Sequence, residues 1–321
     1  MSQISPNDGL HHFVVSYIHT IWGSKEFFPG PQPISIEYKH FGFLKNDDYV
    51  VCEKTDGMRY MLVCLMYGGK KKSILVNRNF DMIDVSVNFR RPAYNGTILD
   101  GELYEDTLLV YDAIIINNEK IGELDFLDRL SHMEKLIKTV VTMKNDKLKL
   151  KLKKFHVMDD FEIFMDKHLP KVKENVDGVV FTPVNCPIKI GTHETMFKWK
   201  PQEKNTVDFL MKRGRSFIGV GVQGPPVWQL FVQEKGKLVF ESEIPYGHME
   251  DKPWFEDGAI VECMYITWEK GPLWWKPLKR RYDKTYPNNR RTFYRTLVNI
   301  RENIQLKEFL DCRPGYNGPL A

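Results

Sequence analysis

A lysine in a short polar run is the first residue of this chain whose setting could support chemistry. Lys54 follows the apolar stretch 49–52 and precedes Asp56, Gly57 and Arg59. Partial burial and nearby positive charge can lower the pKa of a lysine by a few units, which makes its amine a nucleophile. The Asp-Gly pair is also a common hairpin signal, so a solvated turn explains the run equally well. A phosphate site elsewhere in the chain would decide between the two interpretations.

Acidic residues interrupt three other apolar runs. Asp100 and Glu102 flank a glycine at the end of one run, and Asp177 precedes a glycine at the start of another. The first of these two places could hold a carboxylate over a sugar or a metal ion, or could be a further Asp-Gly turn. Tyr111 and Asp112 lie inside a third run, where an aspartate is uncommon unless paired and an aromatic ring could stack on a base.

Two groups of basic residues could bind phosphate. Lys198 and Lys200 are two apart in a predicted strand, so their side chains project from the same face and repel each other unless an anion lies between them. The second group is the basic stretch 275–284, for which a solvated loop is the usual outcome.

The composition indicates a globular protein of two domains. A chain of 321 residues that is 42% hydrophobic can bury a sizeable core, and domains usually hold about 100–200 residues. The longest apolar run, 60–67, is far shorter than the roughly 20 residues of a membrane helix, so we expect no membrane association. The five scattered cysteines argue against a zinc site or disulfide framework and favour a reducing intracellular compartment.

The net charge of +4 is modest but unevenly distributed, and its basic concentrations could meet a polyanion. Lysine and leucine alternate through 147–152, which predicts a strand with one solvated face, with the lysines through 154 protecting its edge against aggregation. The stretch 68–72 is typical of a solvated hairpin tip.

Apolar periodicity predicts the elements of the first domain. An amphipathic helix begins after Asn7 and Asp8, and a Pro-rich connection ends it. Short runs then follow with the rhythm of an antiparallel sheet, at 49–53, 60–67, 73–77, 97–100 and 107–116. The remaining elements are helices over 127–141 and 159–169 and strands at 179–181 and 196–200.

Beyond Lys204 the pattern changes to short strands separated by Gly and Pro turns. Five such strands match a small Greek-key barrel, at 206–212, 217–222, 227–233, 237–240 and 259–266. A final helix is predicted over 291–310. The division falls near 201–206, which gives domains 1–204 and 205–321.

Taken together, six ordered motifs resemble those of the covalent nucleotidyltransferase superfamily, whose members carry a nucleotide on a lysine. They are 54–59, 100–102, 111–112, 177–180, 198–200 and 281–284. The chain is most similar to mRNA-capping guanylyltransferases, because of Phe-Pro-Gly-Pro-Gln-Pro before the lysine, Asn-Thr-Val-Asp-Phe after the fifth motif, and the Arg-x-Asp-Lys ending. Its compact size most resembles the capping enzymes of large DNA viruses. The resemblance implies an α+β fold, with an antiparallel-sheet nucleotidyltransferase domain and a C-terminal OB-fold barrel.

The resemblance also implies a two-step reaction that uses GTP, the 5′ end of an RNA and Mg²⁺ or Mn²⁺. Lys54 would attack the α-phosphorus of GTP and release pyrophosphate, and the 5′-diphosphate end of the RNA would then attack the lysyl-GMP adduct to form a 5′–5′ cap. Phosphoryl transfer depends mainly on positioning and charge stabilisation, which explains the mixture of cations and carboxylates in the motifs.

Each matched position acquires a role from the resemblance. For the nucleotide, Arg59 and Arg78 would contact the ribose and phosphate, Glu102 would accept from a ribose hydroxyl, and Tyr111 would stack on guanine. For the phosphates, Asp177 would help to hold the metal, Lys198 and Lys200 would flank the α-phosphate and favour a neutral Lys54, and Asp208 would orient water or lysine. Arg281, Asp283 and Lys284 would reach the leaving phosphates when the two domains close.

One departure and several alternatives stay open. The family's last motif often begins with arginine where this chain has Lys279, which keeps the charge but not the bidentate fork. An ATP-dependent polynucleotide ligase would use Lys54 to form an AMP adduct, and a catalytically silent RNA-binding module would keep only the fold. Separate chains could supply an RNA triphosphatase, a cap methyltransferase or an RNA polymerase. A viral source would imply host cytoplasm or nucleus, or packaging in the virion.

Overall fold

The computed structural model describes residues 2–23, 28–143, 146–219, 222–246, 252–266, 275–282 and 284–312. They form two compact units. The first contains the chain up to Trp199 and the described part of the segment that starts at Lys307, and the second is Lys200–Leu306. The path therefore differs from the predicted division at 204/205, because the C-terminal segment returns to the first unit. There Phe309 packs against Phe181, with ring centroids 4.7 Å apart.

Three sheets organise the described part of the first unit. Its strands are β1 (Ser2–Ile4), β2 (Gln32–Ser35), β3 (Tyr49–Thr55), β4 (Met58–Tyr67), β5 (Lys70–Val76), β6 (Met82–Val85), β7 (Asn88–Phe89), β8 (Thr97–Tyr104), β9 (Thr107–Ile116), β10 (Glu119–Lys120), β11 (Val140–Val141), β12 (Lys149–Leu152), β13 (His156–Val157), β14 (Val176–Pro183) and β15 (Thr192–Trp199). An eight-stranded sheet has the order β1-β6-β5-β4-β8-β9-β10, with β12 beside β9. A five-stranded sheet has the order β13-β3-β14-β15-β2, and β7 pairs with β11. The predicted α+β class with mainly antiparallel sheets is confirmed.

The eight-stranded sheet is covered on both faces, which explains why its central strand is almost wholly apolar. Along β4, Met61 and Val63 pack with the helix α1 (Gly9–Trp22), whereas Leu62 and Cys64 pack in the cluster of the helix α3 (Phe126–Ile137). Side chains alternate across a strand, so a strand buried on both faces needs apolar residues at successive positions. The helix predicted after Asp8 is confirmed, and Asp8 caps it by accepting a hydrogen bond from the Leu10 N–H.

Short helical segments complete the first unit. They are α2 (Phe41–Asn46), α4 (Phe161–Ile163), a π-helical turn at Phe164–His168, and 3₁₀ turns at Tyr38–His40, Met158–Asp160, Leu169–Lys171 and Leu306–Cys312, the last of which starts on the final residue of the second unit. The helix predicted over 159–169 is therefore present in irregular form. The helix predicted to reach 141 ends at Ile137, because Val140 and Val141 pair with β7 instead. Two adjacent β-branched residues favour a strand over the end of a helix.

The second unit is one antiparallel sheet with a helix. Its elements are β16 (Thr206–Gly219), β17 (Val222–Glu234), β18 (Lys237–Pro245), β19 (Ile260–Tyr265), β20 (Trp275–Arg280), a 3₁₀ turn at Gln202–Lys204 and α5 (Arg290–Glu302). The sheet has the order β18-β17-β16-β19-β20. Its apolar cluster includes Phe209 and Trp275 from the sheet and Phe293 from α5. In the part of the second unit that the structure describes, no pairing of β18 with β20 closes the sheet into a barrel.

Three predictions about the second unit need correction. The strand predicted at 217–222 is not separate, because this stretch spans the end of β16 and the start of β17, which form one long hairpin. The stretch 275–284 is not simply a solvated loop, because its first six residues form β20 beside β19. The final helix ends at Glu302, where Asn303 adopts a left-handed conformation with φ 47° and caps it.

Across the described residues, no helix is both long enough and apolar enough to span a bilayer.

A buried ion pair fixes α3 to the eight-stranded sheet. Arg129, which is 2% exposed, donates from Nε to Asp112 Oδ1 at 2.8 Å and from Nη2 to Oδ2 at 3.1 Å. Burial raises the pKa of Asp112, and the Arg129 charge opposes that shift. The expectation that an aspartate within an apolar strand is paired is confirmed.

We expect Arg129→Met to lower the free energy of unfolding by about 3–5 kcal/mol, because it leaves the Asp112 carboxylate buried without a counter-charge. Urea unfolding followed by circular dichroism measures the change. Arg91→Met removes an exposed arginine of the same unit and should shift the unfolding free energy by less than about 0.5 kcal/mol. Equal effects of the two substitutions would contradict a structural role for the pair.

Candidate functional site

A β-bulge brings Asp177 to Lys54. In the pairing of β3 with β14, Thr55 lies opposite Val176 and Lys54 lies opposite Gly178, so Asp177 is the extra residue of the bulge. Bulges re-aim side chains in this way beside functional sites. Lys54 Nζ lies 2.8 Å from Asp177 Oδ1 and 3.1 Å from Oδ2. The Lys54 side chain is 25% exposed and that of Asp177 is 9% exposed, so the amine is oriented by a carboxylate and still accessible.

Asp56 and Gly57 do not form the tip of a hairpin. The strand before them, β3, lies in the five-stranded sheet, whereas the strand after them, β4, lies in the eight-stranded sheet. A Cβ atom at Gly57 would lie 2.5 Å from the carbonyl oxygen of Leu103, so the backbone must pass close to β8 here. The run is therefore a solvated connection between strands of two different sheets and not a hairpin, since Asp56 and Gly57 are exposed, and Lys54 lies where the chain crosses between these sheets.

Asp100 is a fully buried carboxylate that holds Arg59 and Tyr111. Arg59 donates to it from Nε at 3.0 Å and from Nη2 at 2.5 Å, and Tyr111 donates from Oη at 2.9 Å. Tyr111 is itself a bulge residue, since Asp112 pairs with Asp100 and Val110 pairs with Gly101. Asp100 thus fixes Arg59 and Tyr111, two side chains that the family resemblance assigns to nucleotide binding.

The Arg59 guanidinium also holds the Pro-rich segment that precedes the lysine. Its Nη1 donates to the Pro31 carbonyl at 2.7 Å, and its Cζ lies 5.5 Å from the centre of the Phe28 ring and 6.0 Å from that of Tyr111. Burial is the largest influence and lowers the pKa of Arg59, but the charges of Asp100, Tyr111 and Glu102 and the hydrogen bond to Asp100 together outweigh it, so the pKa is raised. Gly30 lies directly against this guanidinium.

Glu102 and Arg78, also predicted to bind the nucleotide, belong to the same eight-stranded sheet or to its turns. Glu102 lies opposite Arg59 in the pairing of β8 with β4. Burial raises the pKa of Glu102, and the positive charges of Lys54, Lys153 and Arg59 oppose the shift. Arg78 lies in the turn between β5 and β6, with an exposed side chain.

The two lysines of the fifth motif lie in different units. Lys198, in β15, lies opposite Val180, which in turn lies opposite Cys52 in β3. Because Cys52 and Lys54 are two apart, Lys198 and Lys54 project from the same face of the five-stranded sheet. Lys200 follows the end of β15 and is the first residue of the second unit.

Asp208 joins the cations of the last motif within the second unit. Both of its carboxylate oxygens lie 3.2 Å from Arg281 Nη1, and Lys284 Nζ also donates to Oδ2. Glu262, which lies opposite Asp208 in the sheet, contacts Arg281 at 3.5 Å and Lys279 at 3.4 Å. Lys279, whose role the sequence left open, is thus a partner of Glu262.

Arg280, the neighbour of Arg281, has a carboxylate partner of its own. Arg280 contacts Glu256, and its Cζ lies 4.9 Å from the centre of the Tyr282 ring. Asp283 lies outside the described residues, so its predicted role stays a prediction.

Sequence reasoning missed two residues of this region. Asp100 was considered only as part of its motif, although its place within an apolar run indicated a buried carboxylate. Lys153 was interpreted as one of the solvated lysines of 147–154, but it is buried at 6% exposure. The alternation of lysine and leucine continues through Lys153 and breaks only at Lys154, so the local pattern places Lys153 on the solvated face and gives no signal of its burial.

Comparison with known families agrees with this arrangement of motifs. Residues 4–202 match the family described as mRNA capping enzyme, catalytic domain, and residues 204–310 match mRNA capping enzyme, C-terminal domain. The chain belongs to the mRNA capping enzyme family.

Individual relatives have low sequence identity to this chain, but the similarity extends over most of its length. The mRNA-capping enzyme subunit alpha of Yarrowia lipolytica is 27% identical over 364 residues, covering 97% of this chain and 88% of that protein. The mRNA-capping enzyme of Danio rerio is 29% identical over 318 residues, covering 88% of this chain and 50% of that protein. Among solved structures, the ATP-dependent DNA ligase from bacteriophage T7 in complex with ATP has a TM-score of 0.39 and 13% identity, covering 78% of this chain and 98% of that chain. The sequence matches alone support membership of the capping enzyme family.

In this capping-family chain, we expect Gly30→Ala to lower the free energy of unfolding by about 1–3 kcal/mol. The added Cβ would overlap Arg59 Nη2, and Arg59 cannot move away without losing its hydrogen bonds to Asp100. Denaturant unfolding measures the change. Gly42→Ala is the matched control, because nothing lies within 4 Å of its Cβ position in α2 and alanine is the better helix former. Equal stability of the Gly30→Ala and Gly42→Ala proteins would show that the Arg59 side chain is not fixed in place by Asp100.

Proposed function

We propose that this chain is an mRNA guanylyltransferase, which forms a lysyl-GMP adduct from GTP and transfers GMP to the 5′-diphosphate end of an RNA. The observation that carries the proposal is Lys54. It lies in the part of the chain that matches the capping enzyme catalytic domain, and it presents an accessible amine to a carboxylate at 2.8 Å.

In the first step, the Lys54 amine attacks the α-phosphorus of GTP. A bond from Nζ to phosphorus forms, the bond from the α-phosphorus to the bridging oxygen of the β-phosphate breaks, and pyrophosphate leaves. Lys54 must lose a proton to react, and the Asp177 carboxylate is an acceptor already within hydrogen-bond distance. Lys198 projects from the same sheet face and would favour the negative charge that develops on the α-phosphate.

The nucleotide would be held by residues of β4, β8 and β9. Glu102 would accept a hydrogen bond from a ribose hydroxyl, Arg78 would contact the ribose or phosphate, and the Tyr111 ring would stack on the base. Arg59 already donates three hydrogen bonds to Asp100 and Pro31. Its main role in nucleotide binding would therefore be to position Tyr111 and the Pro-rich segment. These roles follow from family membership together with the placement of each residue.

A divalent cation, Mg²⁺ or Mn²⁺, would supply charge stabilisation for the triphosphate. Among the described residues, no three His, Cys, Asp or Glu side chains converge as a ready metal cage. Mg²⁺ is usually bound by one or two carboxylates together with substrate phosphates and water, so Asp177 alone fits a metal that is bound with its nucleotide.

The cations of the second unit would bind the β- and γ-phosphates during the first step. Arg281 and Lys284 both contact the Asp208 carboxylate, and phosphate oxygens would replace that carboxylate in the nucleotide complex. Such a complex requires the two units to close over the nucleotide. Their reopening would then expose the adduct to the RNA.

Further parts of the proposal rest on resemblance. We propose that the second unit is an OB-fold, that the chain acts inside the cell, and that separate proteins supply the triphosphatase, methyltransferase or polymerase functions. The relatives named above are fungal and animal, so they lend no support to a viral source, which stays a prediction together with virion packaging.

Labelled nucleotides test the proposed reaction directly. We expect the wild-type chain to form a covalent adduct with α-labelled GTP, with release of pyrophosphate, and to form none with ATP. Because the adduct is a phosphoamide, it should be labile to acid and stable to alkali. Lys54→Ala should abolish labelling, because the nucleophile is absent, and Lys154→Ala is a control that keeps Lys54. An adduct with ATP alone would identify a ligase. Equal absence of labelling in the wild type and Lys54→Ala, with equal binding of capped RNA, would identify a silent RNA-binding module.

Arg281 tests the part assigned to the second unit. Arg281→Met should slow adduct formation by about 100-fold, because one charge-stabilising donor of the transition state is lost. Arg280→Met is the matched control, since Arg280 contacts Glu256 instead of the Asp208 cluster, and it should stay within about threefold of wild type. Rapid-quench measurement with labelled GTP gives both rates. If the two variants are slowed equally, Arg281 has no special part in the first step.

A further inference from the structure

Lys153 donates to β3 on both sides of the proposed nucleophile. Its Nζ donates to the Glu53 carbonyl at 2.8 Å and to Thr55 Oγ1 at 3.0 Å. Glu53 Oε1 lies 3.9 Å from the same nitrogen. The residue between these two contacts is Lys54, so one ammonium holds the strand immediately before and immediately after it.

The Lys153 site is built mainly from buried groups. The Lys153 side chain is 4% exposed, that of Glu53 is 8% exposed, and Thr55 is 2% exposed. A buried lysine is costly unless it is paired and hydrogen-bonded. His168 completes the set, with Nε2 3.2 Å from Glu53 Oε2. The solvated lysines of the same stretch have no comparable surroundings, since Lys149 and Lys151 are 57% and 60% exposed.

The position of Lys153 also explains why β3 needs such support. The strand β13 pairs with β3 at Val50 and Val51, and its described pairing extends no further towards Lys54. On the opposite edge, the partner strand is interrupted by the Asp177 bulge. The segment that carries Lys54 therefore has weakened pairing on both edges, and the Lys153 ammonium provides hydrogen bonds there.

The backbone of Lys153 reaches the other half of the site. Its N–H donates at 2.9 Å to the carbonyl of Val110, the residue before Tyr111 in β9. One residue thus joins the strand of the nucleophile, in the five-stranded sheet, to the strand of the proposed base-stacking ring, in the eight-stranded sheet.

We propose that Lys153 is a positioning residue for the guanylyl-transfer step: it fixes the backbone on both sides of Lys54 and registers the nucleophile against the nucleotide-binding strand. This inference rests on the proposed function. Lys153 itself touches no reacting atom. Its effect should appear in the rate of adduct formation, since misplacement of a reacting group by about 1 Å can cost about 100-fold.

The test is single-turnover formation of lysyl-GMP at saturating GTP, which separates the rate constant from the fraction of active molecules. We expect Lys153→Met, which keeps most of the length of the side chain but removes its donors, to lower the rate constant by about 10- to 100-fold. The KM for GTP should stay within about threefold, because the side chains assigned to the nucleotide are unchanged. Lys151→Met, from the preceding strand β12, is the matched control and should match the wild-type rate constant.

A merely structural role would give a different result. It would lower the amplitude of adduct formation in Lys153→Met, as unfolded molecules accumulate, and leave the rate constant of the remaining molecules unchanged. That outcome would overturn the proposal. Failure of the wild type to label with GTP would instead reject the proposed function, so the two failures are distinguishable.

Two substitutions of Thr55 test the proposal if Lys153→Met does not fold. Thr55→Val keeps the shape but removes the hydroxyl that accepts from Lys153, whereas Thr55→Ser keeps the hydroxyl. We expect Thr55→Val to lower the rate constant of adduct formation by about threefold or more and Thr55→Ser to stay near wild type. Equal rate constants in the two variants would overturn the proposal.

Discussion

Two β-bulges determine the geometry on which the candidate site depends. Asp177 and Tyr111 are each the extra residue in an antiparallel pairing, and each contacts a polar side chain of a neighbouring strand, Lys54 and Asp100 respectively. A regular strand would alternate these residues with their neighbours across the sheet. The bulges instead turn both towards their partners, while the apolar residues around them continue to form the core.

Buried carboxylates then set the positions of the cations. Asp100 has no exposed surface and binds Arg59 through two hydrogen bonds, and Arg59 in turn holds the segment around Gly30 and Pro31. A buried ion pair of this kind is stable only when its geometry is good, because both charged groups have lost their hydration. The orientation of the Tyr111 ring therefore depends on a residue that need not touch the nucleotide.

The sequence predicted the strands of the site but not their registers. The apolar runs located β3, β4, β8 and β9, because burial on both faces requires apolar residues whatever the pairing. A bulge depends on the partner strand, which a local pattern cannot identify. The Asp-Gly pair at 100–101 could therefore equally be interpreted as a turn, although it lies inside a strand, and the bulge at Asp177 was not predicted. Lys153 was missed for a related reason, since its burial is caused by Glu53 and Thr55, about a hundred residues earlier in the chain.

Pairing of the proposed catalytic cations with carboxylates has a consequence for the proposed selectivity. Lys54 contacts Asp177, and Arg281 and Lys284 contact Asp208, so a ligand phosphate must compete with a carboxylate for these cations. A single phosphate gains little from such an exchange, because one charge-assisted interaction replaces another. The adjacent β- and γ-phosphates of a nucleoside triphosphate carry several charges and could replace Asp208 on both Arg281 and Lys284. If these cations act as proposed, their pairing with carboxylates would favour a polyphosphate over an isolated anion, which is the discrimination that a nucleoside triphosphate site requires.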